Sequence, residues 1–354
     1  MPFTQFHVPT IDISPYVEGG TEESRRDVAA DLDCACSTIG FMSVTGHGIP
    51  DDVIAGLGLA IDGFFALPPE EKASYIMPPE VNRGYTAPRS ESLSLSLGLE
   101  SATRTNDFFE AFNVGTGDGV PNVWPAVAEF ESAVNLYFEH AARVARTLTR
   151  IFADALGVDE GFFDRITDNS LDTFRMNNYA LPPHQSVPQA PARPGEIELG
   201  EPDGMGEHTD YGIVTVLWAD RVAGLQVLGS DVRWHDVSPA ENALLINLGD
   251  LTARLTNDRW MSTLHRVRPP IVDGSIVRRR SAAFFHDGNL NATISPLDSC
   301  IELGEPVHYE PVTVAEHIEA KLAGSRGGRA NTTATREAAR VRAAVGSGAG
   351  GTTR

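Results

Sequence analysis

Cysteine is scarce in this chain of 354 residues, which contains only Cys34, Cys36 and Cys300. Three cysteines, an odd number, do not make the disulfide framework of a small secreted protein. Cys34 and Cys36 form a C-x-C pair that could bind a metal. The apolar spacing, however, predicts a helix over residues 22–38, in which side chains two positions apart point in different directions. We therefore interpret the pair as small side chains of a hydrophobic core.

Basic residues are few compared with acidic ones, and long apolar runs are absent from the sequence. Lysine and arginine total 28 against 48 aspartates and glutamates, a formal net charge of −20. A surface this acidic repels phosphate backbones and anionic membranes, so we expect neither nucleic-acid nor membrane binding. No segment approaches the roughly 18 apolar residues that cross a bilayer, and no signal-like segment opens the chain. We expect a cytoplasmic protein, and the oligomeric state stays open.

Hydrophobic periodicity separates a mostly helical N-terminal half from a β-rich remainder. RGYTAP at 83–88 is typical of a loop. From Asp172 onward, short apolar runs alternate with turn residues, which is typical of a β-sandwich or barrel. Residues 182–207 are rich in proline and glycine, so we predict a long loop there. Helices are predicted over 22–38, 51–66, 124–156 and near 313–322.

One group of residues carries chemistry. His208 and Asp210, in GEHTDYGIVTVL, are two positions apart, so on an extended strand their side chains share a face. His265, in STLHRVRPP, also has a β-like context. Two imidazoles and one carboxylate on one face of a metal, with the other face open, are the ligands of non-haem iron(II) oxygenases. The H-x-D pair alone is weak evidence, because strands carry such pairs by chance.

Several ordered blocks strengthen this interpretation. Together they resemble the isopenicillin N synthase-like branch of the 2-oxoglutarate/iron(II)-dependent dioxygenases, and concordant motifs in order are far more specific than any single motif. VPTIDI and FFALPPEEK in the N-terminal half resemble the same branch, so the resemblance covers about residues 8–322. The blocks of the C-terminal half are FRMNNY (174–179), GEHTDYG (206–212), GLQV (224–227), LINLGD (245–250), STLHRV (262–267) and RRS (279–281).

The resemblance implies roles for the matching residues. His208, Asp210 and His265 match the iron(II) ligands. Arg279 and Ser281 match the residues that bind the distal carboxylate of 2-oxoglutarate, a task that suits a guanidinium fork and a hydroxyl. On a strand, the neighbouring arginines would point away from Arg279.

Other residues are candidates for the same site. Asn177 and Tyr179 match positions that contact 2-oxoglutarate in several members and would share a strand face, although ordinary core packing is their alternative. Arg175 and Tyr211 are weaker candidates. His184, in the predicted loop, is a candidate for lining the pocket.

The resemblance also implies a fold and a reaction. The fold is mainly β with flanking helices, around a double-stranded β-helix (jelly roll) core. Fe(II) is the cofactor, 2-oxoglutarate the co-substrate and O2 the oxidant. We expect oxidation, most often hydroxylation, of a small molecule's C–H bond with release of succinate and CO2, as in the tailoring reactions of secondary metabolism.

Two alternatives stay open at this point. The first is an Fe(II) oxidase of the same fold that does not use 2-oxoglutarate, of the isopenicillin N synthase-like or ascorbate-dependent ethylene-forming type. The second is a non-catalytic binding protein on the same scaffold. The spacing between the second histidine ligand and Arg279 contains PPIVDGS, which predicts an extended hairpin.

The sequence divides into four predicted regions. They are an N-terminal helical and mixed region (1–120), a long helical segment that packs on the core (121–170), the double-stranded β-helix domain (171–322) and a disordered tail (323–354).

Overall fold

The structure is a computed structural model, and it describes residues 6–78, 80–91, 93–97, 109–180, 205–268, 271–272, 275–326 and 331. Within this part of the chain the α-helices are α1 (Glu22–Thr38), α2 (Asp51–Phe65), α3 (Pro69–Ala73), α4 (Phe130–Leu156), α5 (Phe162–Thr167), α6 (Asp250–Leu255) and α7 (Val314–Ser325). The strands are β1 (Thr10–Asp12), β2 (Phe41–Thr45), β3 (Gly84–Thr86), β4 (Glu110–Thr116), β5 (Asp172–Tyr179), β6 (Met205–His208), β7 (Val214–Ala219), β8 (Leu225–Leu228), β9 (Trp234–Asp236), β10 (Leu244–Leu248), β11 (His265–Val267), β12 (Ile271–Val272), β13 (Ser275–Ile276), β14 (Arg279–His286), β15 (Thr293–Ile294) and β16 (Val312–Thr313).

Eight strands form the major sheet, in the order β1-β2-β10-β7-β14-β5-β4-β3. Its adjacent strands β14 and β5 are antiparallel, and alternate side chains of each strand point to opposite faces. On the outer face, Phe174 stacks on Tyr137 of α4 with ring centroids 5.3 Å apart, and Phe138 packs edge-on against Phe284. The long helix α4 therefore covers the outer face and leaves the inner face to the interior.

Four strands form the minor sheet, in the order β6-β11-β8-β9. Apolar side chains of both sheets share one buried cluster, which includes Tyr179 and Leu245 of the major sheet with Leu225 and Val267 of the minor sheet. The predicted jelly-roll architecture is confirmed, with a core enclosed between two sheets whose strands are antiparallel except for the edge pair β1 and β2. No helix within the described ranges is both long and apolar enough to span a bilayer.

The N-terminal half, predicted as a helical and mixed region, supplies strands as well as helices. The four strands β1 to β4 belong to the major sheet. The loop predicted at 83–88 is wrong, because Gly84–Thr86 form β3 and pair with β4 at the sheet edge. Gly84 has φ +75°, and a Cβ there would lie 2.2 Å from the carbonyl oxygen of Tyr75. Such an edge strand depends on its partner strand, which the local sequence pattern does not reveal.

Helix boundaries match the prediction at α1 and differ at α4. The predicted helix over residues 22–38 is α1, and its N-cap Thr21 accepts a hydrogen bond from the backbone NH of Ser24. The helix predicted from residue 124 begins at Phe130, because Glu129 has φ 58° and so breaks the helical path.

Two segments predicted as irregular contain regular structure at their ends. Residues 205–207 of the predicted loop belong to β6, while residues 181–204, with His184, lie outside the described residues. Helix α7 extends to Ser325, and the backbone NH of Asn331 donates to Leu95 at 3.1 Å, so the predicted disorder is wrong for the start of the tail. Residues 327–330 and 332–354 lie outside the described residues.

The two smaller predictions have clear outcomes. The predicted hairpin is present, because β12 and β13 pair antiparallel. Cys34 is exposed and Cys36 buried on α1, so the two thiols do not share one environment, and the prediction of a buried core residue is wrong for Cys34.

Candidate functional site

The two predicted histidines and the aspartate lie together between the sheets. His208 ends β6 and His265 begins β11, and the two residues are direct partners across these antiparallel strands. Asp210 lies just beyond β6, in the turn that leads to β7, so the expectation that it shares one strand with His208 is wrong. The potential ligand atoms of all three side chains lie within 4.8 Å of one another.

Each imidazole is oriented by its own backbone. Nδ1 of His208 donates to the carbonyl oxygen of Gly206 at 2.8 Å, and Nδ1 of His265 donates to that of Thr263 at 3.1 Å. Because a carbonyl can only accept, these contacts place the proton on Nδ1 and leave the Nε2 lone pair for a metal. The two Nε2 atoms lie 3.9 Å and 3.6 Å from Oδ1 of Asp210.

The carboxylate of Asp210 is held by hydrogen bonds at its second oxygen. Asn247 of β10 donates from Nδ2 to Oδ2 at 2.6 Å, and the hydroxyl of Thr215 of β7 donates to the same oxygen. These contacts turn Oδ1 toward the imidazoles. Orienting partners of this kind are what a metal-binding carboxylate requires.

The protonation states also suit a cation. Burial, and next the neighbouring His265, lowers the pKa of His208 to about 3. The imidazole is therefore neutral at pH 7, which is the form that binds a metal. Two imidazoles and a carboxylate on one side of the site fit a divalent transition metal such as iron(II).

The candidate residues for 2-oxoglutarate form two register pairs on the inner face of the major sheet. Arg279 lies opposite Tyr179, and Ser281 lies opposite Asn177, across β14 and β5. The Arg279 guanidinium lies over the Tyr179 ring, 5.0 Å from its centroid, and Nδ2 of Asn177 donates to the Ser281 hydroxyl at 3.4 Å. The four side chains therefore meet at one point on the inner face.

Within the part of the chain that the structure describes, the buried cation Arg279 has no carboxylate partner at hydrogen-bond distance. It is 2% exposed, and its Nε and Nη1 atoms find no hydrogen-bond partner among the described residues. Arg278 and Arg280 point to the other face, and both form ion pairs with Asp62. An isolated buried guanidinium is costly, so the arrangement fits a carboxylate ligand such as that of 2-oxoglutarate.

A cavity of about 350 Å³ connects these groups. The metal-ligand candidates, Arg279 and Ser281 all line it, as do the weaker candidates Arg175 and Tyr211. Its size is that of a small-molecule site.

Several side chains of this site escaped the sequence reasoning. Glu91 is buried between two cations, accepting from Arg175 at 2.7 Å and lying 3.1 Å from Arg326 of the segment after α7. The partners of Asp210, Asn247 and Thr215, were also missed. Asn247 lies in the LINLGD block and Thr215 in the GEHTDYGIVTVL segment, and these were the local signals for the two residues.

Two family models match the chain. One, described as the 2OG-Fe(II) oxygenase superfamily, matches residues 172–288. The other, described as non-haem dioxygenase in morphine synthesis N-terminal, matches residues 8–127.

Characterised relatives resemble nearly the whole chain. A 2-oxoglutarate-Fe(II) type oxidoreductase of Emericella nidulans is 32% identical over 331 residues, covering 90% of each chain. The validamycin A dioxygenase of Streptomyces hygroscopicus is 30% identical, covering 82% of this chain and 79% of the relative. These names do not favour an oxidase that dispenses with 2-oxoglutarate or a non-catalytic binding protein.

A solved structure of a relative shares the fold of this chain. The Neurospora crassa T7H, crystallised with alpha-KG and thymine, superposes with a TM-score of 0.76 at 28% identity, covering 91% of this chain and 98% of the relative. That relative binds a small molecule together with the co-substrate.

Proposed function

Because this chain belongs to the 2-oxoglutarate/Fe(II) oxygenase superfamily and is a 2-oxoglutarate- and Fe(II)-dependent dioxygenase, we propose that His208, Asp210 and His265 hold its iron. When bound, iron(II) and 2-oxoglutarate supply the activation of O2 that oxidises a C–H bond and releases succinate and CO2. The tautomers fixed by the backbone and the neutral state of His208 support this assignment.

Arg279 and Ser281 bind the distal carboxylate of 2-oxoglutarate in this proposal. The single observation that carries it is the buried guanidinium of Arg279, whose Nε and Nη1 lack partners among the described residues. A guanidinium offers a carboxylate paired N–H donors, such as those of its two terminal nitrogens, and the Ser281 hydroxyl adds a third hydrogen bond. Asn177 orients that hydroxyl, and the Tyr179 ring supports the guanidinium from one side.

The substrate is a small molecule that enters the remaining part of the cavity. The buried group of Arg175, Glu91 and Arg326 lines this part and offers charged hydrogen-bonding groups. A small-molecule substrate is also what the thymine complex of the Neurospora crassa relative suggests. Hydroxylation as the outcome, a role in secondary metabolism and a cytoplasmic location stay predictions.

An anaerobic titration tests the site assignment. Iron(II)-loaded protein is titrated with 2-oxoglutarate while the visible metal-to-ligand charge-transfer band is followed. We expect a band with the wild-type protein and none with His265→Ala, which loses a ligand. His235→Ala, on the outer strand β9, is the matched control and should leave the band unchanged.

The outcomes separate the parts of the proposal. Iron binding without a band in the wild-type protein would contradict the roles of Arg279 and Ser281. Undiminished iron binding by His265→Ala would contradict the triad. Release of succinate in a screen of small molecules would then identify the substrate.

A further inference from the structure

A buried ion pair lies beside the metal triad, and neither of its residues is among those proposed to bind iron or 2-oxoglutarate directly. Asp250 begins α6, and Lys321 lies on α7 with its Nζ 2.5 Å from Oδ2 of Asp250. The two residues are 3% and 1% exposed. Lysine and aspartate are almost never this buried unless they are paired, and a pair of this kind often serves something other than stability.

The Asp250 carboxylate joins the two segments that carry the proposed iron ligands. Its Oδ2 accepts from the hydroxyl of Thr209 at 3.2 Å, and Thr209 stands between His208 and Asp210. Its Oδ1 accepts from the hydroxyl of Ser262 at 2.7 Å, in the segment that leads into β11 and its histidine. One buried carboxylate therefore links the β6 turn to the start of β11.

A backbone hydrogen bond also connects Asp250 to the turn after β6. The NH of Asp250 donates to the carbonyl oxygen of Asp210 at 2.9 Å. Lys321 reaches the turn directly as well, because its Nζ also donates to the Thr209 hydroxyl at 3.4 Å. The position of the proposed ligand Asp210 thus depends on a contact network that extends to the C-terminal helix.

Charge explains why Lys321 is needed. A buried carboxylate is costly unless a cation and hydrogen bonds compensate it. Lys321 supplies that cation, because its Nζ lies 2.5 Å from Oδ2 of Asp250. Without Lys321, the buried carboxylate would lose its cation, and a turn toward water would break its contacts with the hydroxyls of Thr209 and Ser262.

We propose that Asp250 and Lys321 are positioning residues that hold the two ligand-bearing segments at the distance the metal requires. This inference rests on the proposed function, because it assumes that His208, Asp210 and His265 bind the metal. It assigns to α7 a second role beyond lining the cavity, namely fixing the metal site through Lys321.

The test measures metal affinity rather than turnover. Cobalt(II), a redox-stable probe for iron(II), is titrated calorimetrically into the full-length wild-type protein, Lys321→Met and Ser262→Ala. We expect Lys321→Met to weaken cobalt(II) binding by about 10- to 100-fold, and Ser262→Ala to fall near the lower end of that range. The visible spectrum of the cobalt(II) complex should shift in both variants, which reports a changed coordination geometry.

Lys72→Met is the matched control. Lys72 is a similarly buried lysine, paired with Glu110 of β4 at 2.6 Å, and neither residue belongs to the network around the triad. This variant should lower the thermal unfolding midpoint and leave the cobalt(II) affinity within about twofold of wild type. The control therefore separates loss of a buried ion pair in general from loss of this one.

The outcomes are decisive in each case. Wild-type affinity and spectrum in both Lys321→Met and Ser262→Ala would overturn the inference and leave the proposed metal site intact. Failure of the wild-type protein to bind cobalt(II) would overturn the proposed site itself. If Lys321→Met does not fold, Ser262→Ala decides alone, because it removes only one hydroxyl group.

Discussion

Three consecutive arginines at the start of β14 occupy different environments. Arg278 and Arg280 form ion pairs with Asp62 on one face of the sheet, whereas Arg279 points inward to the cavity. Because strand side chains alternate, this register assigns the middle arginine to the interior. The pattern RRRS alone does not say which arginine is inside, but the resemblance to the R-x-S signature does.

Arg279→Lys should weaken 2-oxoglutarate binding by at least about tenfold while leaving iron(II) affinity unchanged. A lysine keeps the charge but loses the planar, bidentate donor pair. The charge-transfer band followed against 2-oxoglutarate concentration measures the effect. Arg278→Lys, on the opposite face, is the control. Equal 2-oxoglutarate affinity in the wild-type protein and Arg279→Lys would show that the guanidinium does not bind the co-substrate.

Thr215→Val should weaken metal binding by about tenfold, because the Asp210 carboxylate then loses one of the two hydrogen bonds that orient it. Valine keeps the shape of threonine, so packing is nearly unchanged. Thr252→Val is the control, since that buried hydroxyl bonds the carbonyl of Ile213 instead of a proposed ligand. Calorimetric titration with cobalt(II) compares the two variants, and an equal loss in both would contradict a specific role for Thr215.

Helix α7 makes the fold sensitive to acid through His317. Burial lowers the pKa of this histidine to about 3, so the folded protein keeps it neutral where the unfolded chain, with a pKa near 6.5, takes up a proton. The unfolded state then binds more protons, and stability falls as the pH drops from about 6.5 toward 3. Above pH 6.5 the histidine has no such effect.

His317→Leu should remove this part of the acid sensitivity. Each pH unit inside the window corresponds to about 1.4 kcal/mol, so the wild-type protein should lose about 2 kcal/mol more than the variant between pH 6.5 and pH 5. Urea unfolding at the two pH values, without metal, measures the difference. Parallel losses in both proteins would mean that His317 does not carry the effect.

Elements with strong local signals were predictable, and elements that depend on distant partners were not. Helix α1 has an N-cap, acidic residues in its first turn and apolar residues at helical spacing. Strand β4, by contrast, lies between β3 and β5, and its hydrogen bonds come from residues far away in the sequence. The hydrophobic pattern of its segment does not reveal these partners, so the sequence analysis placed no strand there.

The residues of the candidate site also fall into some that were predictable from the sequence and some that were not. The triad and Arg279 were predictable because they stand in blocks that resemble a known family. Glu91 and Lys321 were not predictable. Each acts through contacts with residues that are distant in the sequence and lie outside its own element. A single sequence does not record which distant residues meet, so the network behind the ligands needed the structure.

At the scale of the whole molecule, the triad joins the two sheets. His208 and His265 belong to the minor sheet, whereas Asp210 is held by Thr215 and Asn247 of the major sheet. A metal bound by all three therefore links the sheets across the core. The linkage predicts that metal binding stabilises the whole fold and protects the edges of both sheets from opening.

Iron(II) at 100 times its dissociation constant should stabilise the folded state by about 2.7 kcal/mol. For a domain of this size, the unfolding midpoint should rise by about 5 °C, and a chelator should reverse the rise. 2-Oxoglutarate should add a further increase only when metal is present, because its chelating end needs the ion. Anaerobic thermal unfolding with metal, co-substrate, both or neither measures these shifts. Hydrogen exchange then shows where in the fold the metal acts. If β6 and β11 are no better protected from exchange with metal than without it, the ion does not join the two sheets.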